Sequence, residues 1–183
     1  MNALSAKICN LGALIIQKMR ARKATEQDIE LIGRMAREIW QEHYPAIIGQ
    51  EQTDFMLQHM YNPESLRSQM LEKGHQFYIW EKDTDELGFA SLDCLHFEHA
   101  FLAKFYIKSS FRGKGIAQAF LAFLESEILQ SGKKTLELTV NRQNIAAINF
   151  YFKTGFKIIR IEDFDIGNGF FMNDFIMQKK LSA

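Results

Sequence analysis

The alternation of apolar and polar positions divides the chain into short strands and amphipathic helices. Lys18 to Ala24 predicts a strand, with Met19, Ala21 and Lys23 on one face and Arg20 and Arg22 on the other. Thr25 is placed to cap a helix, with Asp28 as its capping-box partner. Behind them Ile29, Ile32, Met35, Ala36, Ile39 and Trp40 recur at helical spacing until Tyr44-Pro45 ends the run. Glu51 to Met60 predicts a second, short helix. Asn62-Pro63 opens a third, a cap followed by an N1 proline, which closes at Gly74. Gln76 to Glu81 and Leu87 to Leu95 predict a hairpin across the polar turn Lys82 to Glu86, and a second hairpin around Phe97 to Ala100 leads into a strand ending at Ile107. Ile116, Ala119, Phe120, Phe123, Leu124 and Ile128 mark a long helix with Gly132 beyond its end. Thr135 to Val140 alternates as a strand, and Asn144 caps a helix that ends near Lys153, before Gly155. Phe156 to Asp165 and Phe170 to Gln178 form a last hairpin around Gly167-Asn168-Gly169.

A strand, a crossover helix and a strand in that order favour one parallel pair among otherwise antiparallel neighbours. The elements therefore predict a mixed α/β (α+β) fold. The chain has 183 residues and is 47% hydrophobic, which fits one globular domain with a real core. Residues 1–18 stand apart. Their apolar run, Ile8 to Ile16, is too short to span a bilayer and lacks a small-residue cleavage site. They read either as an N-terminal extension of a domain covering residues 19–183 or as a segment ahead of a true start at Met19.

The chemistry concentrates between Phe105 and Gly132. An apolar strand end, Phe105-Tyr106-Ile107, runs through Arg112-Gly113-Lys114-Gly115 into the long helix. A glycine turn feeding a helix N-terminus receives phosphate, because the first amides have no partner inside the helix and the dipole favours an anion. Arg112 and Lys114 add positive charge. A P-loop is excluded, since Ile116 and Ala117 cannot bind Mg²⁺. The dinucleotide fingerprint fails at Gln118, where a glycine is required.

A second motif follows about thirty residues on: Asn144, Ala147, Tyr151, Gly155 and Phe156. The pair resembles the GCN5-related N-acetyltransferase family. That family's acetyl-CoA loop reads Arg/Gln-x-x-Gly-x-Gly/Ala, here Arg112 to Ala117. Its second segment reads Asn-x-x-Ala-x-x-x-Tyr-x-x-x-Gly-Phe, and every position is filled. The resemblance spans about Met19 to Leu181. It implies a central sheet of about seven strands, mostly antiparallel, flanked by helices on both faces and splayed where acetyl-CoA binds.

The resemblance further implies roles. Phe105, Tyr106 and Ile107 would offer backbone groups to the pantetheine arm, with the Ile107 amide at the thioester oxygen. Arg112, Gly113, Lys114, Gly115, Ile116 and Ala117 would hold the pyrophosphate. Asn144 would hydrogen-bond the pantetheine arm, Phe150 would be a further cofactor-binding residue, and Tyr151 would bind the cofactor and protonate the departing sulfur. A phenol with a pKa near 10 keeps its proton at neutral pH, as that role needs. Many relatives carry a glutamate base on the strand before the loop. Here positions 100 to 103 are Ala, Phe, Leu and Ala, which leaves Asp93, His96, Glu98 and His99 on the preceding hairpin as substitutes, Glu98 first. Within the family the resemblance is strongest to bacterial polyamine acetyltransferases of the PaiA type, through FYIKSSFRGKGIA, INFYFKTGF and the tail MNDFIMQKKL. Peptide or protein N-terminal acetylation is the rival reading, and a catalytically silent acyl-CoA-binding regulator stands behind it.

Charge bears on the acceptor. The net charge is zero, but residues 25–99 carry fifteen acids against five cations and residues 100–160 ten cations against three acids. The basic half holds the phosphate loop. If the acidic half formed the opposite wall of the cleft, it would gather a cationic amine such as spermidine or spermine. Lys104, Lys108, Arg112, Lys114, Lys133 and Lys134 make a basic region but no nucleic-acid motif. Cys9 and Cys94 form no CxxC or metal pattern, and none of the five histidines has metal-ligand spacing. These features predict a metal-free cytoplasmic protein, with a homodimer as the default assembly.

Overall fold

The computed structural model describes residues 19–95 and 98–182. The N-terminal extension, Cys9 and His96 lie outside them. The described order is β1 (Met19–Lys23), α1 (Ile29–His43), α2 (Pro45–Ile48), α3 (Gln50–Met60), α4 (Pro63–Leu71), β2 (Gln76–Lys82), β3 (Asp85–Asp93), β4 (Ala100–Ile107), α5 (Ile116–Gln130), β5 (Thr135–Asn141), α6 (Ile145–Lys153), β6 (Lys157–Gly167) and β7 (Phe170–Lys180). The predicted start of α1 is preceded by a 3-10 turn, Glu26–Asp28, where Asp28 Oδ2 accepts from the Thr25 amide at 2.8 Å. Tyr44-Pro45 ends α1 as expected, and Pro45 then serves as N1 of the one-turn α2.

Seven strands form one sheet in the order β1-β2-β3-β4-β5-β7-β6, antiparallel throughout except for β4 and β5. That parallel pair is short. Only Ala100 with Leu136 and Phe101 with Glu137 are in register, after which the two strands diverge. The rest of β4, from Leu102 to Ile107, thus presents a free edge toward β5.

Two cores cover the two faces. Ile116, Phe120, Leu124 and Ile128 of α5, with Ile148 and Tyr151 of α6, pack on one. Ile32, Met35, Ile39 and Trp40 of α1, with Met56 and Leu66 from α3 and α4, pack on the other. A bulge decides which side chains of β4 look where. Ser91 pairs with Lys104 and Leu92 with Leu102, so Ala103 has no partner and the alternation slips by one. Leu102, Phe105 and Ile107 consequently join the α5–α6 core, while Tyr106 joins the α1–α4 core. Among the described residues no helix is long and apolar enough to cross a membrane.

Candidate functional site

The gap between β4 and β5 opens into a cavity of about 1070 Å³ that reaches both faces of the sheet. On the α5–α6 side it is bounded by the glycine loop. Gly113 and Gly115 have φ of +76° and +74°, and Gly115 is the residue before the first turn of α5. A Cβ at either position would meet nothing within 4 Å. The need for glycine is therefore conformational, a left-handed backbone that aims the following amides outward. Arg112 Nε donates to the Ile107 carbonyl oxygen at 3.1 Å and ties the loop to the end of β4.

Pairing decides which backbone groups of β4 remain free. The Lys108 amide bonds to the Leu87 carbonyl at 3.0 Å, and Phe89 lies opposite Tyr106. Antiparallel pairing alternates, so Tyr106 turns its backbone toward β3 while Phe105 and Ile107 turn theirs into the gap. This corrects one expectation: Phe105 and Ile107 can present their backbone groups to a ligand, and Tyr106 cannot. The Tyr106 side chain goes to the other face instead, where its hydroxyl accepts from Tyr61 Oη at 2.9 Å.

Asn144 and Tyr151 enter from α6. Asn144 Oδ1 caps the helix by accepting from the Ala147 amide at 3.2 Å and lies 3.4 Å from His43 Nε2. Tyr151 is 8% exposed. Burial, and then the field of Tyr44, push its phenol well above the ordinary tyrosine value. It keeps its proton across the physiological range. Its ring lies between Phe150 and Phe156, each 5.4 Å away by centroid. Phe150 stacks on Phe105 at 5.9 Å.

Of the residues singled out in the sequence, Phe105, Tyr106, Ile107, Arg112, Gly113, Gly115, Ile116, Ala117, Asn144, Phe150 and Tyr151 all line this cavity. Lys114 is exposed beside it, with Nζ donating to the Ser110 carbonyl at 3.2 Å. Glu98 is not brought in. It is exposed in the turn before β4 and absent from the cavity wall, so it is not placed to take a proton there. Asp93 accepts from the Leu95 amide at 2.9 Å, and His99 lies 3.3 Å from Glu137, so neither of these substitutes joins the site.

The far wall also departs from expectation. It is built by α1, α3 and α4, yet none of the fifteen acids of residues 25–99 lines it. Amphipathic helices turn their charges to water, and Glu30, Glu64 and Glu72 are all exposed. The wall is aromatic and partly basic instead. Trp40 stacks on Tyr44 at 4.1 Å, and Tyr61 joins Tyr106. Burial holds the Tyr44 phenol up at about 12, against the hydrogen bond from Tyr106.

Two buried charged groups of the cavity escaped the site reading of the sequence. Lys104 on β4 is 4% exposed, with Nζ 5.0 Å from the Tyr61 ring centroid and 5.9 Å from that of Phe77. Burial, helped by the charge of Lys73, lowers its amine to about 8. Asp174 on β7 is 5% exposed and is the one carboxylate among the described lining residues. Each is a charge set among apolar strand residues, Lys104 in AFLAKFYI and Asp174 before Phe175-Ile176-Met177, which is the signal that could have found them. Among the described residues no group of three or more His, Cys, Asp or Glu is arranged to hold a metal ion.

Comparison with known proteins agrees with this geometry. Residues 40–177 match the acetyltransferase (GNAT) domain family. A spermidine N(1)-acetyltransferase of Thermoplasma acidophilum is 32% identical over 168 residues, covering 88% of this chain and 97% of that protein. The crystal structure of PaiA N-acetyltransferase from Thermoplasma acidophilum, in complex with coenzyme A, superposes with a TM-score of 0.75. It is 29% identical and covers 88% of this chain and 98% of its own. Ard1 from Thermoplasma volcanium shares the fold at a TM-score of 0.69 and 19% identity, over 91% of this chain and 99% of its own.

Proposed function

Since the chain belongs to the GNAT family and is an acetyl-CoA-dependent N-acetyltransferase, we propose that its acceptor is a primary amine of a polyamine such as spermidine. The observation that carries this reading is the 32% identity, over nearly the full length of both chains, to a protein named for spermidine acetylation. A cavity that holds one carboxylate, Asp174, beside a string of aromatic rings supports it, since alkylammonium groups are bound by that combination.

In the same reading the amides from Arg112 to Ala117 hold the pyrophosphate at the start of α5, helped by the dipole and by Arg112 and Lys114. The Phe105 and Ile107 backbone groups that face the gap hold the pantetheine arm, and the Ile107 amide hydrogen-bonds the thioester oxygen as charge builds on it. Asn144 Nδ2 and the Phe150 ring flank the arm, and Tyr151 gives its proton to the departing sulfur. The enzyme works in the cytoplasm by direct attack of the amine in a ternary complex. It pairs as a homodimer through β6, an edge strand that exposes Ile158, Ile159 and Ile161.

A second reading has its own support. Lys73, His75 and Lys104 gather at the α4 end of the cavity, and a basic end suits the carbonyls or carboxylate of a peptide acceptor. The test is thiol release from acetyl-CoA with spermidine, spermine, small monoamines and a basic peptide. Turnover favouring polyamines supports the first reading and turnover confined to peptide the second. CoA binding without turnover on any amine would turn the protein into an acyl-CoA-binding regulator.

A further inference from the structure

Asp174 is a buried carboxylate of the cavity wall. Buried charges in proteins are normally paired. Yet no ion pair among the described residues includes Asp174. Arg142, whose charge reaches it from the end of β5, is held by Asp163 instead. On β7 Asp174 stands opposite Asn141 of β5 and Glu162 of β6. The Thr139 hydroxyl hydrogen-bonds to it, and the Tyr44 phenol feels its charge from the loop after α1. Among the described residues the polar and charged groups near it are Thr139 and Asn141 from β5, Arg142 just beyond that strand, Glu162 and Asp163 from β6, and Tyr44 above.

Its place in the sheet adds a direction. Asn141 is the last residue of β5, at the end that has left β4. Leu136, Leu138 and Val140 face the α5–α6 core, so Thr139 and Asn141, and Asp174 opposite Asn141, face the other layer. Tyr106 points to that same layer from β4. The cofactor loop and Tyr151 therefore lie on one side of the gap and Asp174 on the other, the side left for the acceptor.

We infer that Asp174 receives the ammonium group of the acceptor and takes its proton, an inference that rests on the amine-acetylation reading above. The proton passes from nitrogen to a carboxylate oxygen of Asp174. The freed electron pair of nitrogen forms the bond to the thioester carbonyl carbon. The carbon–sulfur bond breaks, and the sulfur takes the proton of Tyr151. Asp174 then releases its proton to solvent, and the second proton, which the nitrogen sheds on becoming an amide, passes through solvent to restore Tyr151, so that the products are the amide, the free thiol and one proton. Burial has pushed the Asp174 carboxyl up to about 6, against the pull of Thr139 and Arg142. It is thus ionised at neutral pH and a far better base than an exposed carboxylate. No other carboxylate of the described cavity wall can share the task.

The experiment compares wild type with Asp174→Asn and Asp174→Glu. It measures kcat/KM against pH with spermidine and with trifluoroethylamine, a weakly basic amine that is largely unprotonated at neutral pH. Calorimetric titrations of spermidine and of CoA accompany it. Wild type should lose activity as pH falls through about 6. Asp174→Asn should lower kcat/KM for spermidine by about 10²–10⁴-fold at neutral pH, lose that acid limb, bind spermidine at least about tenfold more weakly and bind CoA as before. The deficit should shrink with trifluoroethylamine, whose nitrogen needs no ammonium proton removed before attack, and Asp174→Glu should recover part of the rate with its acid limb. A wild-type limb and wild-type spermidine affinity in Asp174→Asn would overturn the assignment. If wild type turned over no amine at all, the acetylation reading would fall. The spermidine titration would still decide for Asp174: weaker binding by the variant supports it, and equal affinity in the two proteins overturns it.

Discussion

Arg112 Nε lies 3.1 Å from the carbonyl oxygen of Ile107 and donates to it. One side chain thereby couples the phosphate-type loop to the strand end that faces the β4–β5 gap. Arg112→Ala removes both a cation and this tether. The KM for acetyl-CoA is expected to rise by about tenfold or more, as a charge-assisted hydrogen bond of about 1.5–3 kcal/mol is lost. The fold should hold, because Arg112 is exposed apart from this contact. Steady-state kinetics beside a thermal melt would check it, and an unchanged KM would dissociate the tether from cofactor binding.

Tyr151→Phe leaves the packing between Phe150 and Phe156 in place and removes one hydroxyl. The kcat should fall by about 10²–10⁴-fold, with CoA affinity retained. Because burial raises the phenol well above its ordinary range, wild type should show no alkaline limb from Tyr151 up to about pH 10. A limb below that, lost in the variant, would mean that the phenol is far easier to ionise than its surroundings imply.

Gly88 is required by space. A Cβ there would stand 2.1 Å from the Tyr106 carbonyl oxygen and 3.0 Å from Ile107 Cα. Gly88→Ala must push β3 from β4 at the point where the Ile107 backbone is aimed into the gap. We expect a loss of about 1–3 kcal/mol in stability, as for overpacked sites, and a kcat reduced beyond what the lower folded fraction explains. Denaturant titration and kinetics on the same samples separate the two effects.

Lys104 makes stability depend on pH in an alkaline window. Its amine titrates at about 8 in the fold against 10.5 in the open chain. Below pH 8 the fold bears the full cost of burying the cation. Between about 8 and 10.5 the unfolded chain binds more protons, so stability rises with pH on account of this group. The shift corresponds to about 3 kcal/mol, a net cost that remains with the cation–π contacts to Tyr61 and Phe77 in place. Lys104→Met should therefore be more stable than wild type by about 3 kcal/mol at pH 7, with the gap closing near pH 10.5. Thermal melts across that range would show it, and a constant gap would contradict it.

Local signals carried much of the molecule, because they act over a few residues. The caps Thr25 and Asn62, the turn around Gly167 to Gly169 and the helical stripe from Ile116 to Ile128 each appear near where their spacing puts them. So does the glycine loop, whose left-handed conformation is written in Gly113 and Gly115. Pro45 was legible as a stop but not as a new start, since proline serves both at a helix boundary.

What the chain could not state in one dimension is which groups meet. A charge count over residues 25–99 sees fifteen acids and not the direction in which each helix turns them. A bulge at Ala103 shifts the side-chain alternation of β4, and the pairing with β3 turns the Tyr106 backbone away from the gap. Glu98 is near β4 in sequence and outside the cavity, whereas Asp174 is seventy residues beyond Lys104 and inside it. The sequence determined the elements, the glycine loop and the place of Tyr151 on its helix, which depend on neighbours along the chain. The tertiary structure decided which side chains line the cavity, because burial and unpaired charge arise only when distant strands are laid side by side.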